Sequence, residues 1–161
     1  MPDYSDIIYE KDGRLAYVTL NRPEKLNALS NNLRAEVMDA MREAEHDDEI
    51  GVIILRANGR SFSAGYDLTP SRAADDDSFV DSRSKLPDTG SMHPGKLQWA
   101  RHVVMTNWII WELAKPVVAQ IQGHCLAGCT ELASVCDFRI CADNALIGYQ
   151  PVRAMTTMDM I

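Results

Sequence analysis

Residues 123–132 read Gly123-His124-Cys125-Leu126-Ala127-Gly128-Cys129-Thr130-Glu131-Leu132, directly after the apolar run Pro116-Val117-Val118-Ala119-Gln120-Ile121-Gln122. That run has the composition of a short buried strand, so the glycine-bearing segment stands at a strand's carboxyl end and opens a helix. A second segment has the same setting: Gly59-Arg60-Ser61-Phe62-Ser63-Ala64-Gly65-Tyr66-Asp67-Leu68 follows Val52-Ile53-Ile54-Leu55-Arg56. Ligands of layered α/β proteins sit at such strand ends. A helix start carries unpaired N–H donors and the positive end of the dipole, and glycine lets a reacting group come close to the main chain. Brought together, the segments would aim two donors at a carbonyl oxygen that becomes an enolate, worth roughly 3 kcal/mol per donor in acyl-transfer sites. The chemistry indicated is activation of a carbonyl or thioester. The bland alternative is that Gly65 and Gly128 only turn the chain.

Composition narrows the class. At 161 residues and 46% hydrophobic content, the chain can bury a core as one domain. A net charge of −7 argues against general nucleic-acid binding and against attraction to an anionic membrane surface. No apolar run approaches the length of a membrane span, and Met1-Pro2-Asp3-Tyr4-Ser5-Asp6 lacks the basic and apolar regions of a secretion signal, so the expected address is the cytoplasm. Cys125, Cys129, Cys136 and Cys141, with His124 beside them, lack the close paired knuckles of structural zinc. Small buried thiols and no metal are expected there.

Along the chain, Ile7–Glu10 and Leu15–Leu20 around Asp12-Gly13 read as a β-hairpin. Ser30 is suited to N-cap a helix with Leu33, Val37, Met38, Met41 and Ala44 on one face, and Arg34, Glu36, Asp39, Arg42 and Glu43 turned to solvent. The strand Gly51–Leu55 follows, a strand–strand–helix–strand opening without a Gly-x-Gly-x-x-Gly. Residues 69–95, with Pro70, Pro87, Pro94 and Asp75-Asp76-Asp77, read as a loop or marginal helix, either a flap over a pocket or a solvated insertion. Lys96–Ala114 is the longest helical stretch, and its tryptophans Trp99, Trp108 and Trp111 are expected to pack against a sheet. Lys115-Pro116 ends it. Glu131, three residues after Gly128, falls within about a turn of that backbone donor. It reads either as a proton shuttle or as a first-turn glutamate complementing the helix dipole.

The segments Asn21-Arg22-Pro23-Glu24-Lys25-Leu26-Asn27-Ala28-Leu29, Phe62–Leu68 and Gln122–Ala133, the last followed by Cys136-Asp137, resemble the crotonase family of enoyl-CoA hydratases and isomerases. The resemblance implies an α/β spiral of strand–strand–helix repeats, here its N-terminal portion without the C-terminal helical part. It aligns Glu131 with a catalytic glutamate and the amides of Tyr66 and Gly128 with the oxyanion donors. Main-chain groups at Lys25, Leu26, Ala64, Tyr66, Asp67 and Leu68 would hold coenzyme A, which belongs to the acyl-CoA substrate and is no resident cofactor. A homotrimer or hexamer of the full chain and a place in fatty acid metabolism are implied too.

The chain departs from that pattern at specific residues. Tyr66 stands where a small residue is usual, and Pro151 stands where the hydratases of the family carry a second glutamate. Hydration divides its proton transfers between paired carboxylates, and proline neither ionises nor donates. One-base chemistry at a thioester fits better: a double-bond shift, an epimerisation or attack on a carbonyl. His124 adds a titratable group beside the donor loop, read either as an acid/base or as a structural loop histidine. Asp67 is either a second carboxylate or a cap for a following turn. Two other readings therefore stand beside the acyl-CoA enzyme: a coenzyme A-independent diketone C–C hydrolase using His124, and a non-catalytic binding or assembly subunit.

Overall fold

The structure, a computed structural model, describes residues 3–67 and 94–149, with the side chains of 94–102 outside the description. The elements in chain order are β1 (Ile7–Asp12), β2 (Leu15–Leu20), a 3-10 turn (Pro23–Lys25), α1 (Asn31–His46), β3 (Val52–Ala57), α2 (Pro94–Trp111), β4 (Val117–Ile121), β5 (His124–Leu126), α3 (Gly128–Ser134), β6 (Phe138–Cys141) and β7 (Leu146–Gly148). Of the stretch 69–95 expected as a loop or marginal helix, residues 69–93 lie outside the described residues and Pro94 and Gly95 open α2; Leu68, and Pro151 with the residues after it, also lie outside. Among the described residues no helix is long and apolar enough to cross a membrane.

Asp12-Gly13 closes the expected hairpin, with Asp12 opposite Leu15 and Gly13 at φ +55°. From β2 onward the pairing is parallel, giving one sheet in the order β1-β2-β3-β4-β6. Parallel neighbours need crossovers, and α1 and α2 occupy the connections after β2 and β3. β5 leaves this sheet and pairs in parallel with β7 in a second, two-stranded one. The segment from β4 through α3 thus repeats the strand–strand–helix order of the opening, the mixed α/β spiral expected of the chain.

Ser30 caps α1 by accepting from the Leu33 amide at 3.1 Å. Leu33, Val37, Ala40, Met41 and Ala44 pack on β1 and β2 in a core shared with Val18, Leu20, Ile53, Leu55, Val117, Ala119 and Ile121. Two expectations about helix faces are corrected. Arg34 does not turn to solvent: it is 4% exposed, one position on from Leu33 at the margin of the apolar stripe. The tryptophans do not all pack inward, since Trp108 is 49% and Trp111 64% exposed. α2 buries Val103, Thr106, Asn107 and Ile110 instead, a stripe at i, i+3, i+4 and i+7 that leaves Met105, Trp108 and Trp111 off it. Trp99 has its side chain outside the description.

The Asn21–Leu29 segment is held by a buried amide. Asn27, fully buried at φ +52°, accepts from the Arg22 amide (2.8 Å) and donates to the carbonyls of Asn58 (2.8 Å) and Ser61 (2.9 Å). Asparagine tolerates this left-handed conformation better than most side chains. Asn27→Ala leaves buried main-chain groups unpaired, at about 1–3 kcal/mol for each orphaned group. Urea unfolding of the variant is expected to show a loss of about 3 kcal/mol, and a loss below about 1 kcal/mol would remove Asn27 as the tie.

Candidate active site

Main-chain hydrogen bonds bring the three motif segments to one place. The amides of Phe62 and Ser63 donate to the carbonyls of Gln122 (2.8 Å) and His124 (2.9 Å), and the Leu126 amide returns a bond to Ser63 (3.1 Å). Ser63 thereby bridges Cys125 in parallel, while Leu29 bridges Tyr66 through bonds to Gly65 and from Asp67. Gly65 sits at φ +99°, where a Cβ would stand 2.8 Å from both the Ala127 Cβ and the Leu126 carbonyl and 3.6 Å from the Gly128 nitrogen. The missing side chain is what lets the two donor segments touch.

α3 begins at Gly128 as expected, and its first-turn glutamate is Glu131. The residue before it, Ala127, is held at φ +53° and ψ −129°, a strained conformation for alanine. Its N–H donates to Gly148 (3.0 Å), and its carbonyl accepts from the Thr130 amide (2.8 Å) and hydroxyl (2.6 Å), so the strain is over-determined by partners. The Gly128 amide, at the first position of the helix, has no intrahelical acceptor. A Cβ on Gly128 would fall 2.2 Å from the Tyr66 ring, so the tyrosine ring fills the space that a side chain there would take.

The Glu131 carboxylate is clamped by two phenols. Tyr66 donates to Oε2 at 2.5 Å, and Tyr149 donates to Oε1 at 3.0 Å. Burial, reinforced by the hydrogen bond to Glu131 and its charge, raises the Tyr66 pKa well above that of an ordinary phenol. Behind the ring lies Arg34, its Cζ 5.7 Å from the Tyr66 centroid, with burial pulling its pKa down against the opposing influence of Tyr66 and Glu131. Arg34 and Tyr149 were not singled out from the sequence. Tyr149 follows a three-residue strand with no pattern of its own, and Arg34 looks like any polar residue of an amphipathic helix.

The other expected site residues have defined places. The amides of Lys25, Leu26, Ala64 and Asp67 donate to the carbonyls of Arg22, Pro23, Leu26 and Leu29, so these groups build the loop scaffold. The Asp67 carboxylate is paired with Arg22 (Nη1 to Oδ2, 3.1 Å). Leu68 lies outside the described residues. His124 is exposed at the start of β5, with Nδ1 3.3 Å from the Ser61 hydroxyl. Cys125 and Cys129 are buried with their sulfurs 3.6 Å apart, Cys136 is buried with its thiol pushed up to about 12 by burial, and Cys141 is exposed on β6. No group of three or more His, Cys, Asp or Glu among the described residues is arranged to hold a metal ion.

Because folding raises the Tyr66 pKa, the folded chain keeps a proton that the unfolded chain loses above pH ~10. The associated stability is complete below that pH and is lost as pH rises beyond it. Tyr66→Phe is expected to flatten the fall of the thermal midpoint above pH ~10, Tyr4 supplying part of the remainder because its pKa is raised too. An unchanged slope in the variant would show that the Tyr66 phenol titrates freely.

The Enoyl-CoA hydratase/isomerase family model matches residues 10–160. A probable enoyl-CoA hydratase of Mycobacterium bovis is 33% identical over 150 residues, 93% of this chain and 51% of that protein. A short-chain-enoyl-CoA hydratase of Clostridium acetobutylicum is 32% identical, over 93% of this chain and 51% of its own length. The crystal structure of an enoyl-CoA hydratase/isomerase from Xanthobacter autotrophicus Py2 matches with a TM-score of 0.75 at 33% identity, over 93% of this chain and 51% of that one. The chain spans about half the length of the curated relatives it matches. With the family model running through all three motif segments, and those segments meeting around Gly65, Gly128 and Glu131, the chain belongs to the enoyl-CoA hydratase/isomerase family, the crotonases.

Proposed function

We propose that the protein binds an acyl-CoA thioester, holds its enolate between the amides of Tyr66 and Gly128, and moves a single proton with Glu131. The observation that carries this reading is the Glu131 carboxylate, fixed by the Tyr66 and Tyr149 hydroxyls one helical turn from the point where Gly65 touches Ala127 and nears the Gly128 nitrogen. A thioester oxygen seated at the two amides gains negative charge as a proton leaves the adjacent carbon, and donors already in place stabilise that charge without reorganising. Glu131 accepts the proton and returns it, to the same carbon in an epimerisation or to the carbon two bonds further along in a double-bond shift. Both outcomes balance with one base and no added water.

The phenols favour this single-carboxylate chemistry. Each occupies one oxygen of Glu131, so the carboxylate is oriented from both sides, and the Tyr66 ring narrows the space over Gly128. The described side-chain bond of His124 is to Ser61, which gives the diketone hydrolase reading no supporting contact among the described residues.

Two measurements test the proposal. Acetoacetyl-CoA titrated into the protein is expected to produce a saturable enolate absorbance, and a flat spectrum would remove the thioester site. Glu131→Gln is expected to keep that binding while lowering isomerase turnover at least ~100-fold, the usual scale for a lost acid/base group. Turnover equal to the wild type would exclude Glu131 from the chemistry.

A further inference from the structure

Arg34 feels the charge of Glu131, but no anion among the described residues pairs or hydrogen-bonds with it. Its side chain is 4% exposed, and Nε and Nη1 are sealed from solvent without a hydrogen-bond partner among the described residues. Nη2 donates to Asn31 Oδ1 at 2.7 Å. A guanidinium has five N–H donors, so most of its capacity is unspent. None of the ion pairs among the described residues includes it. Glu131, the carboxylate of the neighbouring clamp, has both oxygens engaged by phenols. The Tyr66 ring face 5.7 Å from Cζ is close enough for a cation–π contact, but a ring face does not accept the in-plane N–H groups. A buried cation without a hydrogen-bonded anion is strongly unfavourable, and a buried polar group left unpaired calls for a partner from outside.

The position of Arg34 says what kind of partner. It stands behind Tyr66, whose hydroxyl reaches Glu131 and whose ring lies against Gly128. Tyr66 is thus the shared neighbour of the position proposed for the thioester, of the carboxylate and of the guanidinium, whose Cζ is 5.7 Å from the ring centroid. We infer that Arg34 is a specificity residue that receives a carboxylate at the far end of the acyl group, so that the preferred substrates are acyl-CoA esters of dicarboxylic acids. The inference rests on the acyl-CoA reading above and adds the class of acyl group to it. The exchange is favourable because the guanidinium is already desolvated and lacks partners, so only the arriving carboxylate loses its water, and charge-assisted bonds of guanidinium to carboxylate are among the strongest available.

Calorimetric titration with glutaryl-CoA and valeryl-CoA tests this, since the two esters share a chain length and differ in the terminal carboxylate. The wild type is expected to bind glutaryl-CoA at least ~10-fold more tightly, and to keep that ratio at high salt because a buried pair is weakly screened. In Arg34→Met the ratio is expected to fall to about one, with Arg34→Lys in between because it keeps the charge and loses the planar fork. A wild-type ratio near one overturns the role of Arg34 whether or not either variant folds, and so does a ratio that survives in a folded Arg34→Met. A ratio that vanishes at high salt assigns the preference to surface charge and overturns it as well. If valeryl-CoA binds and glutaryl-CoA does not bind better, the acyl-CoA reading stands and Arg34 alone fails. If neither ester binds the wild type, both fall.

Discussion

The close approach at Gly65 is the constraint on which the site depends. A side chain there would run into the Cβ of Ala127 and the carbonyl of Leu126, and the parallel contacts that tie residues 63–66 to 124–128 could not close. With them closed, two loops from different sheet crossovers share one backbone surface, and the first turn of α3 stands beside the chain at Tyr66. The strain accepted at Ala127 belongs to the same arrangement: the residue is turned to start α3 where Gly128 can lie against the Tyr66 ring, and its N–H and carbonyl are both bonded to keep it there. Backbone rather than side chains does this positioning, which suits the proposed holding of an enolate by N–H groups.

Around that backbone surface lies a polar cluster set against an apolar core. Arg34, Tyr66, Glu131 and Tyr149 come from α1, the first loop, α3 and the end of β7. Within the cluster charge is kept in separate hands. The phenols hold the carboxylate, Arg22 holds Asp67, and Arg34 rests on the tyrosine ring with donors to spare. Other polar side chains are spent on structure: Asn27 ties its own loop to Asn58 and Ser61, Lys115 caps α1 by donating to the carbonyls of Ala44 and Asp47, and Asp137 accepts from the Val117 amide at the start of β4. Tyr9 and Asn107 each leave one buried polar atom unpaired among the described residues, and Arg34 is the charged group that does so.

What could be read in advance follows from how local each signal is. Asp12-Gly13, Ser30 and the stripe from Leu33 to Ala44 act within a turn or a strand pair, and each produced the element expected. The strands before the glycine segments were legible because they are short, apolar and bounded. β5, β6 and β7 were not, being three or four residues long and defined by pairing partners rather than by a period; Phe138 and Ile140 of β6 are exposed. The tryptophans misled because size was taken for burial, whereas the register of α2 chose Val103, Thr106, Asn107 and Ile110. Arg34 misled in the opposite sense, since a charged residue beside an apolar stripe reads as solvated until a neighbouring element covers it.

By itself the sequence determined the family, the strand–helix order of the opening and the location of the donor segments, because glycine, proline and capping residues act on their own few neighbours and leave the same mark wherever they stand. Glu131 was legible as a first-turn carboxylate for the same reason. Only the tertiary structure decided which groups would surround it. Tyr149 lies 18 residues and Tyr66 65 residues away along the chain, and Arg34 joins them from a helix formed before either loop. Their convergence is a product of parallel crossovers and of the bare backbone at Gly65, long-range packing that no local pattern of residues encodes.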